Sequence, residues 1–291
     1  MSSESHPVPS PSAAAAPSVP PWMLVVIAIF SVQMGAAVAK QLFDEIGFAG
    51  VVFLRTFLGG LIFLVLIRPR WRGHSPHVYR MVALYGAVIS INMLTFYAAI
   101  DRIPLGIAVA IAFLGPLSIS VAGSRRALDL LWIGLAVIGI LLLSPITDAT
   151  LDPVGALLAF LCAGAWALFI IMTKRTGALL PGNSLLALSM CVAAVVSAPF
   201  GMIPSLAILP DPALIGLAVV VALLSSVTPF WLEFRALKRI RLPVFGLLMS
   251  LEPAVATVIG WVLLGEVLST EKVIGIGLVT VAAAATTRGE H

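Results

Sequence analysis

The sequence predicts an all-α membrane protein, with ten transmembrane helices arranged as two inverted five-helix repeats. Three observations carry this. Of 291 residues, 60% are hydrophobic and 10% charged, whereas soluble domains carry about 25% charged residues, so polar side chains are too few to cover a soluble globule. Ten segments approach the ~20 apolar residues that cross a ~30 Å hydrocarbon core. Pro116 (AFLGPLSIS) and Pro253 (MSLEPAVAT) each break an apolar stretch, and each follows Arg-Ile, at Arg102-Ile103 and Arg239-Ile240, with a common offset of 137 residues.

In chain order the expected spans are 22 to 41, 48 to 67, 80 to 100, 104 to 122 and 128 to 145, then 153 to 173, 184 to 204, 212 to 233, 242 to 264 and 272 to 287. The connecting loops run about 4 to 12 residues, which makes successive spans antiparallel neighbours. Five spans per half is an odd number, so a duplicated unit inserts the second time in the opposite orientation. The expected organisation is a disordered tail over 1–21, a first repeat over 22–145, a second, inverted repeat over 146–287 and a tail over 288–291. Further echoes are Ala99 with Ala236, Lys40 with Lys174, and Ile133-Gly134-Leu135 with Ile276-Gly277-Leu278.

The first 21 residues are rich in Pro, Ser and Ala and hold no Lys or Arg, unlike a signal-peptide n-region. Ala37-Val38-Ala39 resembles a cleavage site, yet cleavage would leave nine spans, so span 1 is expected to be retained. One set of alternate loops, with the C-terminal tail, holds 13 of the 17 basic residues, from Arg68 to Arg241 and Arg288. The other set holds Asp44, Glu45, Asp101, Asp148, Asp152, Asp211, Glu266 and Glu271. The positive-inside rule then places the basic loops and both termini in the cytoplasm. With its charge explained by topology, the chain is expected to bind no nucleic acid. Cys162 and Cys191 fall inside spans, so neither a disulfide nor a metal is expected. The glycines, among them Gly35, Gly59, Gly60 and Gly106, read as close-packing devices between helices.

Ionised side chains at membrane depth are costly and are functional candidates. Here they and their polar companions are Gln33, Lys40, Arg55, Asn92, Glu233 and Glu252, with Tyr85, Tyr97, Trp166, Ser225, Ser226 and Thr228. Glu252 directly precedes Pro253, which frees a backbone carbonyl one turn back. It reads as a proton carrier or a partner for a substrate ammonium, or else as a neutral acid bonded between helices. Tyr85, Ile89, Asn92 and Phe96 share one face of span 3 and Gln33 and Lys40 one face of span 1, either lining a pathway or bonding helices together. Lys40 also has the option of snorkelling to the interface. Arg55 is expected to pair with Asp101 or Glu45, and Glu233 to form an interfacial salt bridge near the end of span 8. Trp166, halfway along span 6, is either a cavity wall or core. The interrupted spans at matching positions point to the working centre, with Gly115, Pro116, Pro229 and Pro253 as hinges and Phe113, beside Gly115, as a candidate wall.

At these residues the chain resembles the ten-span, EamA-type members of the drug/metabolite transporter superfamily. The strings that carry the resemblance are LRTFLGGLIFLVL (54 to 66), FYAAIDRIPLGIAVAIAFLGP (96 to 116), LCAGAWALFIIMTKR (161 to 175) and SLEPAVATVIGWVLLGEVLSTEKVIGIGLV (250 to 279). Within it, PLGIAVAIAFLGP, Ser124-Arg125-Arg126 and LLMSLEPA are similar to amino-acid exporters of the threonine/homoserine type and to aromatic amino-acid exporters. The resemblance implies an inner-membrane exporter of amino acids or related small metabolites working by alternating access, with a cavity formed by spans 1, 3, 4, 6, 8 and 9. The polar and aromatic residues singled out above then give an expected substrate site of Gln33, Tyr85, Asn92, Phe113, Trp166 and Glu252, with protons as a candidate coupling ion, no cofactor, and a monomer in the lipid bilayer. One departure is Ala112, where an acidic residue is expected in the homoserine exporters; its loss favours a broader, more apolar cavity. Export of other metabolites or drugs is the alternative. An intramembrane enzyme is disfavoured, because His6, His74, His77 and His291 all lie in tails or a loop.

Overall fold

The structure, a computed structural model, describes residues 19–103, 105–124, 127–143, 152–176, 184–264 and 268–288. The expected tails up to residue 18 and from 289, the repeat boundary at 145–146, Arg125, Arg126, Glu266 and the side chain of Lys40 lie outside the described residues. The helices are α1 (Pro21–Ile67), α2 (Pro76–Ile100), α3 (Leu105–Ala112), α4 (Leu114–Gly123), α5 (Ala127–Leu143) and α6 (Pro153–Thr176). They continue with α7 (Ser184–Ser205), α8 (Pro212–Ala222), α9 (Thr228–Leu237), α10 (Leu242–Met249), α11 (Leu251–Leu264) and α12 (Thr270–Arg288). A π-helical turn, Leu223–Val227, joins α8 to α9. Among the described residues seven segments are long and apolar enough to cross a membrane, while Ile107–Gly123 and Ala127–Leu143 are shorter apolar helices. With α12 they make the ten expected passes.

Spans 1 and 2 are two helices within Pro21–Ile67, and the expected loop between them shrinks to a kink at Gly47, at φ 63°, ψ 175°. Only glycine adopts that backbone cheaply. The chain doubles back there, because Ser31 and Gly35 on one side and Arg55 and Gly59 on the other all reach residues 224–226.

Spans 4 and 9 break at equivalent places. α3 ends at Ala112 and α10 at Met249, each four residues before its proline, where the missing N–H removes one helical bond and the ring crowds the carbonyl. The junction residues Phe113 and Ser250 keep near-helical dihedrals, with ψ of −13° and −15°, so each break is a tightened turn and not an unwound loop.

Packing follows the duplication. Span 2 runs antiparallel to span 7, with Gly60 against Cys191, Thr56 bonded to Ser197 at 2.9 Å, and Gly201 against Ala49. Span 5 runs antiparallel to span 10, with Gly139 and Leu143 against Gly275 and Val279. α4 runs antiparallel to α10, with Gly123 against Pro243 and Pro116 against Gly246. Span 3 lies on span 6 as span 1 lies on span 8. An inverted repeat requires such pairings, since equivalent spans point in opposite directions. Between helices in lipid there is no hydrophobic drive, so close backbone approach does the work. A methyl group at Gly115 would overlap the carbonyl of Ala163, and one at Gly201 that of Ala49. Gly115, expected as a hinge, is thus also a point of tight contact.

The two ends of the bundle differ in charge. Lys174, Arg175, Lys238, Arg239 and Arg241 gather at one end, and Asp44, Glu45, Asp101, Asp152 and Asp211 at the other. At the basic end Lys174 Nζ donates to the carbonyls of Leu237 and Ile240, at 2.7 and 2.8 Å, capping α9 with a cation. At the acidic end Arg102 pairs with Asp152 at 3.5 Å.

Gly47 and Gly164 both have open space where a Cβ would go, but only Gly47 has positive φ. Gly47→Ala should cost about 1–3 kcal/mol of stability, whereas Gly164→Ala, in a regular helix, should be neutral or stabilising by up to ~1 kcal/mol. Thermal unfolding of the two variants in the same detergent measures the difference.

Candidate functional site

Prolines remove helical backbone donors inside several spans, Pro199 and Pro204 within α7 among them. In spans 4, 8 and 9, Pro116, Pro229 and Pro253 leave the carbonyls of Ala112, Ser225 and Met249 without their i+4 partner. The polar side chains at membrane depth collect around these positions.

Arg55 shows how. Its Nη2 donates to the carbonyl of Ser225, the group that Pro229 cannot serve, while Nε reaches Ser226 Oγ at 3.2 Å and Nη1 the Tyr97 hydroxyl at 3.4 Å. Neither Asp101 nor Glu45 is its partner, contrary to expectation. Arg55 lies two to three turns inside the helix from Gly47, and the freed carbonyl is nearer than the carboxylates at the helix ends. The Leu223–Val227 turn widens the helix where Arg55 enters, a distortion common at functional sites. Tyr97 in turn is packed by Phe43, Phe48 and Phe96, at centroid distances of 5.6, 6.4 and 5.8 Å.

Gln33 and Glu252 come together. Gln33 Nε2 donates to Glu252 Oε1 at 3.3 Å, tying span 1 to the first turn of α11. Both are half-buried. The break at Ser250 starts a new helix at membrane depth, and a carboxylate in its first turn is favoured by the helix dipole. The Arg55 guanidinium and Glu233 are within electrostatic reach of this carboxyl. Glu233 itself departs from its expected interfacial salt bridge: the helix runs on to Leu237, leaving Glu233 a turn inside, and no ion pair reaches it among the described residues. Arg235, two residues on, is exposed on the other side of the helix.

Phe113 and Trp166 also meet, edge to face at 4.9 Å between centroids. Phe113 is buried at the α3–α4 junction and Trp166 half-buried on α6. This contact between spans 4 and 6 corresponds, under the repeat, to the contact between spans 9 and 1. One half carries an aromatic pair where the other carries an amide and a carboxyl.

Tyr85 and Asn92 bind α2 to α6. The Tyr85 hydroxyl is 2.5 Å from Thr173 Oγ1 with its ring stacked on Phe169 at 5.5 Å, and Asn92 Nδ2 donates to the Cys162 carbonyl at 3.2 Å. Tyr85 and Ile89 are buried and Asn92 is half-buried, so the periodic face of span 3 is the one turned to α6. Ala112 is the last residue of α3 and is 1% exposed. A separate cavity of about 530 Å³ opens at the basic end, lined by Gly123, Ser124, Lys174, Arg241 and Pro243. Along α10 it is nine residues from Glu252, about 14 Å at the helical rise, with the Pro116–Gly246 contact in between.

Sequence reading did not find the Arg55–Ser225–Tyr97 link or the pairing of Phe113 with Trp166. The first had a signal: Ser225 lies four residues before Pro229, and a buried cation is the strongest donor able to replace the missing N–H. The second was available from the repeat, since alignment of Lys40 with Lys174 sets Gln33 beside Trp166.

Over 275 residues the chain is 37% identical to the threonine/homoserine exporter RhtA of Escherichia coli (strain K12), covering 92% of each chain. The chain belongs to the EamA-like transporter family. The family pattern matches residues 153–288 of this transporter, the half that contains Glu252 and Pro253. RhtA of Salmonella typhimurium (strain LT2) is also 37% identical, over 259 residues, covering 88% of this chain and 87% of its own. A solved crystal structure 20% identical to this chain superposes on it with a TM-score of 0.75, covering 92% of this chain and 96% of the other, which shows a shared fold. This EamA-like transporter is a multi-pass membrane protein.

Arg55→Ala should lower stability by about 3 kcal/mol, because it leaves buried acceptors unserved. Pro229→Ala returns an N–H to the Ser225 carbonyl and should reduce that loss in the double variant. A thermal-unfolding double-mutant cycle reads the coupling, and an additive result would disprove the compensation.

Proposed function

We propose that this chain exports amino acids across the bacterial inner membrane by alternating access, with the site between the two repeats at the level of the proline breaks. The observation that carries the reading is the matched pair of contacts, Gln33 with Glu252 and Phe113 with Trp166. An amino acid is charged at one end and varied at the other. Glu252 offers a partner for the ammonium, Gln33 an amide for the carboxylate, and the aromatic pair a surface for the side chain. Asn92 and Tyr85, fixed on α6, form the adjoining wall. Ala112, small and apolar, is buried beside Phe113 at the end of α3. The relatives' identity as threonine/homoserine exporters supports the substrate class.

The repeats are assigned to 22–145 and 146–287, and the basic end and both termini to the cytoplasm by the positive-inside rule. The chain works as a monomer without enzymatic activity, and protons are the candidate coupling ion through Glu252.

The test is efflux from proteoliposomes loaded with a panel of radiolabelled amino acids at two pH values. Efflux of at least one amino acid is expected, and efflux of none would defeat the reading. Gln33→Ala and Glu252→Gln should each lower transport efficiency by at least about tenfold, in keeping with about 1.4 kcal/mol or more of lost interaction. Trp166→Ala should change the ranking of apolar against polar amino acids more than the rate for threonine. An unchanged pH profile in Glu252→Gln would remove the coupling role.

A further inference from the structure

The cavity of about 530 Å³ at the basic end takes no part in the proposed substrate centre. Three elements form it: the end of α4 at Gly123 and Ser124, the end of α6 at Lys174, and the start of α10 at Arg241 and Pro243. Gly123 packs on the Pro243 ring, so two of the walls are held in close contact. Among the described residues that line the space, two are cations and none is a carboxylate.

The two cations are placed differently. Lys174 Nζ donates to the carbonyls of Leu237 and Ile240 at 2.7 and 2.8 Å. An ammonium has three N–H donors, so one remains, and the two in use fix the position of the charge. The carbonyls bring dipoles but no net charge, and among the described residues no ion pair reaches Lys174. Arg241 is exposed and precedes the first turn of α10, which begins without a side-chain cap and has a proline in that turn. The N–H groups of Leu242 and Val244 thus open the helix at its positive end. Duplication does not account for Arg241: the Arg-Ile pair is followed by Pro104 in the first half and by Arg241 in the second. Capping of α9 needs Lys174 alone.

Two charges and a helix start converge on an anion, and their number selects among anions. A zwitterionic amino acid would bring its ammonium against both cations and find no carboxylate to receive it. A phosphate monoester brings close to two negative charges at neutral pH and three acceptor oxygens, which suits a forked guanidinium beside a point-charge ammonium. The volume lies within the roughly 300–1,000 Å³ of small-molecule sites.

We infer that this cavity is a binding site for a phosphate group, held by Lys174 and Arg241 at the start of α10 and separate from the substrate centre. Two sources share that chemistry: the headgroup of an anionic phospholipid in the leaflet at the basic end, and a soluble phosphate ester. Either ties α6 to α10 through one ligand and so stabilises the folded chain.

The experiment is thermal unfolding of the full chain in a neutral detergent, at one pH and at an ionic strength held constant with potassium chloride. The probes are glycerol 3-phosphate, phosphatidylglycerol and phosphatidylcholine in mixed micelles, and threonine. At saturation, glycerol 3-phosphate or phosphatidylglycerol should raise Tm by about 3 °C or more. Phosphatidylcholine, whose choline cation cancels its charge, should not. A shift with phosphatidylglycerol alone assigns the lipid, and a shift with glycerol 3-phosphate assigns a soluble ester. Against each variant's own unliganded Tm, Arg241→Gln should weaken apparent affinity at least about tenfold, and Arg239→Gln, the same charge lost from an exposed position outside the cavity, by less than about twofold. Equal losses in the two variants would reduce the effect to net charge and overturn the site, as would no shift with either phosphate probe. Stabilisation by threonine that Arg241→Gln removes would make the cavity part of the substrate path and overturn the phosphate assignment.

Discussion

A backbone carbonyl at membrane depth has no water to turn to, and this chain creates such carbonyls by placing prolines inside its spans, among them those of Ala112, Ser225 and Met249. The cost of leaving one unserved is several kcal/mol, so the surrounding sequence is organised around serving them. Ser225 receives Arg55 from span 2. Ala112 and Met249 end their helices, and the chain turns there into α4 and α11. The positions of Phe113, Glu252 and the close contacts between spans 4, 6, 9 and 10 all descend from those breaks.

Duplication supplies the frame, and its violation supplies the polar and aromatic contacts of the proposed site. Span 8 has Pro229 and a π turn where span 3 keeps a regular helix with Asn92 at the matching position. Span 9 has Glu252 where span 4 has Gly115, and span 1 has Gln33 near the counterpart of Trp166. Polar and aromatic contacts thus occupy equivalent places in the two halves. A perfectly symmetric pair of repeats would present the same surface twice and could not distinguish the two ends of an amphiphilic solute.

Much of this was legible before any coordinates. Proline offset, odd span count and loop charges are properties of one-dimensional sequence, and they locate all ten passes to within a few residues. Legibility stops where side chains cross between helices. Whether Arg55 meets Asp101 or the Ser225 carbonyl depends on how far span 2 is rotated and how span 8 widens, and no periodicity in either span reports that. Glu233 illustrates the boundary problem: ending span 8 at 233 made it interfacial, while the helix continuing to Leu237 makes it interior. The pairing of Gln33 with Glu252 lies between, since each residue was conspicuous alone and only their contact needed the fold.

The antiparallel pairs of spans 2 with 7 and 5 with 10 have a further meaning. Each joins a helix to its own repeat partner, so interchanging the halves maps the contact onto itself. Such seams are formed by Gly60 with Cys191, Gly201 with Ala49 and Gly139 with Val279, and the proposed alternating access would leave them unaltered. Those four spans also carry many exposed apolar side chains, including Leu61, Val65, Leu130, Ile138, Val195, Ile203 and Val281. Both seams therefore turn apolar faces outward to the lipid, as Phe30, Leu84, Phe160 and Trp261 do on the other spans.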